Sequence, residues 1–391
     1  MTPCNTTETA LWLLDGARSA ERAEQMVQQL GERLVAAGVP LAGGALFLRT
    51  LYPGLFGRSF VWRPGFDAVV LEFTYDSEDS RDLQQSSVAC ISGSAPVVRL
   101  DPKDNDSCLN LPVFRQLRAD DITAFVATPV IFANGDLHLA IWTTRQAGGF
   151  TEDQIHGIVN IVPAFTRVVE IFALRRRATV LLDTYVGHAT GERILAGHIH
   201  RGHTEELHAA IWLSDMRGFT ELADRLPTDV LIRLLNRYFD CQIPGVVRRG
   251  GEVLKFIGDG MLAIFPIAGD AKRVCGEAFA AAYEARKRIA GMEQSELGAD
   301  HARVRFGVAL HVGTVMYGNV GGENRLDFTC IGPAVNLVAR MEKLTGGLGR
   351  TVLASADFAR ISGAPLSPIG EFVLTGFSQP QTVFGVPDEI D

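Results

Sequence analysis

Two kinds of hydrophobic spacing divide the chain into three parts. Leu13, Ala17, Ala20, Ala23, Met26, Val27, Leu30 and Leu34 recur at the period of one helix face. They predict a helix over 8–37 that stops at Gly38-Val39-Pro40. Short apolar runs follow and predict strands over 44–51, 59–62, 69–74, 124–132 and 137–144. Ala133-Asn134-Gly135-Asp136, between the last two, is hairpin-turn chemistry, and the polar 101–108 reads as a loop. A mixed α/β unit over 1–150, with a central antiparallel sheet, is the expectation. Trp62, Phe66, Phe73 and Tyr75 are candidates for a pocket lining, but such spacing more often marks plain core.

The next part is helical. Thr151-Glu152-Asp153-Gln154 is a capping box, and Ile155, Ile158, Val162, Phe165, Val169 and Phe172 alternate three and four apart. That is a coiled-coil seam, with a kink expected at Pro163. Arg175-Arg176-Arg177 follow, and 178–186 resumes the helical pattern. Residues 151–204 therefore read as a helical connector that suits pairing of two chains. His198, His200 and His203 lack a Cys or carboxylate partner at metal-site spacing and read as a solvated linker.

From 205 to 391 the elements alternate as a third unit. A strand over 207–213 leads to a helix over 227–247, a hairpin over 252–257 and 261–265, and an Ala-rich helix over 271–290. A strand over 304–311, a glycine-rich segment (Gly313, Gly318, Gly321, Gly322) and a strand over 325–331 come next. A helix over 333–344 opens with Pro333, and strands over 351–354 and 372–386 close the chain. The βαββαβ succession is the ferredoxin-like arrangement. The fold class is thus α+β.

Composition narrows the function. With 391 residues two domains are expected, and 47% hydrophobic with 21% charged residues fits a globular chain. A net charge of −8 gives no footprint for nucleic acid. No apolar run was expected to span a membrane, since 34–48 is broken by Pro40 and glycines, and Met1–Asn5 lacks a signal-peptide pattern. The six cysteines include no CxxC pair, so free thiols and a cytoplasmic setting are expected.

The chemistry concentrates in 213–265. Ala209-Ala210-Ile211-Trp212-Leu213 leads to Asp215, and 253–257 leads to Asp259 within Gly258-Asp259-Gly260. A carboxylate at the end of a buried strand, beside glycine, sits at the mouth of a sheet. Either alone is ordinary turn chemistry. Two together suit a hard cation such as Mg²⁺ bound along with substrate phosphates.

Four blocks in order carry a resemblance: Ser214-Asp215-Met216-Arg217-Gly218-Phe219-Thr220, residues 250–260, residues 332–342, and Leu374-Thr375-Gly376-Phe377. They resemble the class III adenylyl/guanylyl cyclase catalytic domain over roughly 206–386. The resemblance implies a homodimer with the active site shared between two chains. It implies Asp215 and Asp259 as ligands of two Mg²⁺ or Mn²⁺ ions, Asn336 orienting the ribose, and Arg340 stabilising the transition state. Gly218, Phe219 and Thr220 stand where the family binds substrate. Lys255 stands where adenylyl cyclases carry lysine and guanylyl cyclases glutamate; Thr329 stands where many adenylyl cyclases carry aspartate. The pair implies ATP as substrate, cyclic AMP and pyrophosphate as products, and resembles a subclass often responsive to bicarbonate. Thr375 departs from the family's triphosphate-binding lysine, for which Arg350 is a candidate substitute. The rival it raises is a catalytically silent ATP-binding module. A diguanylate cyclase is disfavoured because Val253-Leu254 follow Gly250-Gly251-Glu252, and a polymerase palm because the chain is acidic. The N-terminal 1–150 is similar to GAF-like regulatory domains, implying a small-molecule regulator of unknown identity.

Overall fold

The computed structural model describes residues 4–52, 54–75, 97–100, 121–292, 304–323 and 325–387, so Cys90 and the expected 101–108 loop lie outside the described residues. The chain forms two compact units, Met1–Leu181 and Leu182–Asp391.

In the first unit the single helix expected over 8–37 is two, α1 (Thr7–Leu14) and α2 (Ala23–Ala36). The chain turns between them at Gly16 and Ala17, whose φ angles of 84° and 50° end the helical path. Six strands follow: β1 (Leu41–Tyr52), β2 (Leu55–Trp62), β3 (Val69–Thr74), β4 (Val98–Leu100), β5 (Ala124–Ile131) and β6 (Leu137–Thr144). They form one sheet in the order β3-β2-β1-β6-β5-β4, antiparallel at every pair. Alternation along the strands divides their apolar side chains between two faces. Leu46, Phe60, Trp62 and Trp142 join the helices in one core, and Phe47, Phe56, Phe73 and Phe125 form another. Trp62 and Phe73 are therefore core, whereas Phe66 and Tyr75 are exposed.

Helix α3 (Glu152–Val186) starts with the expected capping box, since Gln154 N–H donates to Thr151 Oγ1 at 3.3 Å and Thr151 N–H to Gln154 Oε1 at 2.9 Å. It runs through Pro163 as one assigned helix. By length and composition α3 is apolar enough to cross a membrane, contrary to the sequence reading. However, Ile155, Ile158, Ile161, Phe165, Val168 and Val169 belong to the core of the first unit. Most of the expected coiled-coil seam is thereby buried within its own domain. A second stripe, Ile171, Leu174, Ala178, Leu181 and Tyr185, continues the three-four spacing and is exposed. The seam available for pairing thus lies farther along the helix than the sequence suggested.

In the second unit α4 (His188–Leu195) precedes the strand β7 (Thr204–Met216), and α5 (Phe219–Arg225) and α6 (Thr228–Arg248) follow it. The hairpin β8 (Glu252–Ile257) and β9 (Gly260–Pro266) leads to α7 (Ala271–Ala290) and β10 (Phe306–Gly321). Next come β11 (Leu326–Ile331), α8 (Pro333–Glu342), α9 (Leu344–Gly347), β12 (Val352–Ser355) and α10 (Ala356–Ser362). Strands β13 (Ser367–Phe372) and β14 (Gln381–Gly385) close the unit. The sheet order β13-β14-β12-β10-β7-β9-β8 contains β10-β7-β9-β8, the 4-1-3-2 order of a βαββαβ fold. Helices α6 and α7 contribute to the core on one side of β7 and β10, and Ala334 and Val338 of α8 to a separate cluster.

The glycine-rich segment at 313–322, to which the sequence reading gave no element, is mostly the second half of β10. Its glycines admit close strand approach. A Cβ at Gly318, whose φ is +154°, would lie 2.2 Å from the His203 carbonyl oxygen across the β7 pairing. Gly318→Ala must push those strands apart, and we expect a loss of about 1–3 kcal/mol of stability by analogy with overpacking. Urea unfolding of the full chain checks it; a midpoint equal to wild type refutes it.

Candidate active site

Strand β7 pairs antiparallel with both β10 and β9, which fixes Asp215 opposite Gly307 and Ser214 opposite Met261. The β8–β9 turn then brings Asp259 alongside. Met216 N–H donates to Asp259 Oδ2 at 3.1 Å. Below the pair, Ser214 Oγ donates to Gln242 Oε1 at 2.7 Å in the buried interior, tying β7 to α6. Gly260 is required here by space: a Cβ would stand 3.0 Å from Asp215 Oδ1 and 3.1 Å from the Ser214 carbonyl oxygen. Two carboxylates expected from sequence to meet do meet.

The site is electrostatically strained without a cation. Burial, then the neighbouring Asp259 carboxylate, then Glu342, push Asp215 up to about 7. Glu342 is the residue that sequence reasoning missed. It lies at the end of α8, accepts a hydrogen bond from Thr345 Oγ1 at 3.4 Å, and is itself raised by burial, with Asp259 adding to the rise. Its one clue was position: two residues beyond Arg340, it points roughly 200° away around a helix. Arg217 moderates this charge and braces the site, since its Nη2 donates to the carbonyls of Thr345 at 2.9 Å and Arg350 at 2.5 Å. Gly218, Phe219 and Thr220 open α5 directly after the β7 carboxylate.

Asn336 and Arg340 are both exposed on α8, while Ala334, Leu337, Val338 and Met341 are buried. Among the described residues neither Glu342 nor Glu323 pairs with Arg340, and no hydrogen bond or ion pair joins Asn336 or Arg340 to the two aspartates. Lys255 is half-buried and lines a cavity of about 840 Å³ whose wall includes Asp327 and Phe328. Thr329 is on the adjoining strand β11, but its hydroxyl is buried, has no partner and is not on that wall. Thr375 is exposed at a turn closed by Phe377 N–H on the Leu374 carbonyl at 3.0 Å. Arg350, the candidate substitute for the missing lysine, spends Nη1 on the Val386 carbonyl at 3.0 Å. The rings of His198 and His203 stack, and among the described residues no three His, Cys, Asp or Glu groups form a metal cluster.

Known proteins match this unit. Residues 203–366 match the model of the adenylate and guanylate cyclase catalytic domain. An uncharacterized protein of Mycobacterium tuberculosis is 33% identical over 180 residues, 45% of this chain and 31% of that protein. The adenylate cyclase of Anabaena cylindrica is 31% identical over 159 residues, 40% of this chain and 31% of that protein. The chain thus spans about a third of the length of these relatives. The solved adenylyl cyclase CyaB of P. aeruginosa is 26% identical, with 47% of this chain and 96% of that one covered at a TM-score of 0.43. The solved guanylyl cyclase Cya2 is 25% identical, with 47% and 93% covered at 0.43. The strand order, the paired aspartates and the family match over 203–366 agree, and this part of the chain belongs to the class III adenylate/guanylate cyclase family.

Proposed function

We propose that the chain is an adenylate cyclase, converting ATP to 3′,5′-cyclic AMP and pyrophosphate. The observation that carries the reading is the convergence of Asp215 and Asp259 at the mouth of the sheet. In the reaction the ribose 3′-oxygen bonds to the α-phosphorus, the bond from that phosphorus to the β-phosphate bridging oxygen breaks, and the 3′ proton passes to solvent.

The donor set fits two Mg²⁺ or Mn²⁺ ions held with substrate. Two carboxylates side by side, one raised by the other, favour a divalent cation, and the absence of a third ligand among the described residues leaves room for phosphate oxygens and water. When bound, such ions lower the pKa of the attacking hydroxyl and offset charge on the triphosphate. The protein's own work is placement. Asp215 and Asp259 would hold the ions, Gly218, Phe219 and Thr220 line the approach of the triphosphate, and Asn336 orients the ribose. Arg340, free of ion pairs among the described residues, supplies a guanidinium to charge that develops on the phosphates.

Lys255 selects adenine by donating to its N1, where guanine presents an N–H. The buried, unpartnered Thr329 hydroxyl suits the adenine amino group, although the wall beside it must open for the base to reach it. A homodimer is supported by the outward-facing Asn336 and Arg340 and by the exposed stripe Ile171 to Tyr185 on α3. The first unit is the regulatory, GAF-like part of this reading.

Purified chain with ATP and Mn²⁺ should form cyclic AMP in preference to cyclic GMP from GTP, and Asp259→Ala should abolish it. Absence of product from both nucleotides, with ATP still bound, would favour the silent module suggested by Thr375. Arg340→Ala should lower turnover about 10²- to 10³-fold. Mixing the Asp259→Ala and Arg340→Ala chains should restore measurable activity, because one composite site would keep both groups. No recovery in mixtures shown to exchange subunits would sink the shared site.

The electrostatics give a separate expectation. A carboxyl raised from 3.8 to about 7 on folding costs nothing below pH 4 and its full penalty above pH 7. Asp259→Asn removes part of that rise. In EDTA the variant should therefore unfold at a higher temperature than wild type at pH 8, with the gap closing towards pH 4. A variant less stable at pH 8 contradicts the repulsion.

A further inference from the structure

The first unit contains a cavity of about 470 Å³ that no step of nucleotide cyclisation uses. Its walls carry six arginines, Arg22, Arg49, Arg58, Arg175, Arg176 and Arg177, against two acids, Glu21 and Glu24. The arginines arrive from separate elements. Arg22 precedes α2, Arg49 lies near the end of β1, Arg58 is on β2, and the other three are consecutive on α3. An arginine run on a helix is by itself a solvated face. Here Arg58 reaches the same cavity from the sheet, while Arg49 lines it at the strand end with its guanidinium 5.5 Å from the centre of the Phe56 ring in the other core.

Three of the six have carboxylate neighbours: Arg22 with Glu24 at 3.2 Å, Arg58 with Glu72 at 3.1 Å, and Arg177 with Asp136 at 3.8 Å. Among the described residues no carboxylate pairs with Arg49, Arg175 or Arg176. The rest of the wall is apolar, with Leu48 and Phe60 from the sheet, Phe132 after β5, and Phe172 from α3. Like charges gathered on one cavity repel by about 1 kcal/mol per pair at 4 Å in water, and more where water is partly excluded. An oxyanion offsets that repulsion and suits the planar guanidinium fork. A monocarboxylate brings one charge to Arg175 and Arg176, whereas a phosphate monoester brings two charges and three acceptor oxygens. The apolar wall accepts a hydrophobic body attached to it.

We propose that this cavity binds a small organic phosphate, with the phosphate held by Arg175 and Arg176 beside Arg58 of the sheet and an apolar or aromatic body laid on Phe60, Phe132 and Phe172. The site is independent of the cyclase reading, because every residue in it belongs to the first unit. A ligand there would bridge β2 to α3 just beyond the buried part of that helix.

The test is isothermal titration of the full chain with phenyl phosphate, beside Arg175→Gln/Arg176→Gln. Both side chains are exposed, so the fold should stand, and far-UV circular dichroism with the unfolding temperature checks it. Any phenyl phosphate bound by the catalytic unit is common to both proteins and cancels in the difference. The expected result is a saturable site in wild type whose affinity falls tenfold or more in the double variant. Inorganic phosphate should bind that site more weakly than phenyl phosphate at equal ionic strength. Equal binding by wild type and variant overturns the proposal, and so does a heat reproduced by sodium chloride at equal ionic strength. Should the double variant unfold, the single variants Arg175→Gln and Arg176→Gln provide the same comparison.

Discussion

The catalytic unit depends on holding two carboxylates side by side against their own repulsion. Strand pairing supplies the force. β7 pairs with β10 along its whole length and with β9 from Ala209 to Ser214, and the hairpin turn delivers Asp259 to the backbone N–H of Met216. The buried Ser214–Gln242 hydrogen bond and the guanidinium of Arg217 stop the strand end from relaxing away. Charge repulsion is thus concentrated at the mouth of the sheet, where the proposed reaction would use a cation to release it.

Much of the second unit was legible from sequence because its signals are local. Buried strands read as apolar runs, α7 as an amphipathic period, and the two aspartates as carboxylates at strand ends beside glycine. What sequence hid was non-local. Glycines at 313–322 hid the second half of β10, because their tolerance of close approach shows only when β7 lies against β10. Glu342 was overlooked because its proximity to Asp215 comes from the packing of α8, not from spacing along the chain. The cavity beside Lys255 is visible only once β8 and β11 lie together, as is the burial of Thr329 away from it.

The first unit shows the same limit on α3. Sequence periodicity identifies an apolar seam but not its occupant, because a core and a partner helix ask for the same spacing. Burial separates the two: residues to Val169 serve the unit's own core, and the exposed stripe begins at Ile171. Likewise Arg175-Arg176-Arg177 looks like a solvated run until Arg58 arrives from the sheet.

Helix α8 carries Asn336 and Arg340 on its outward face and Glu342 on the side that faces its own aspartates. In a two-fold pair of such chains, each copy of this one helix would touch both reaction centres, lending a cation to one and a carboxylate to the other. A rotation or slide of α8 would then be felt at both centres together, so the centres would share a single mechanical element and neither could be tuned alone.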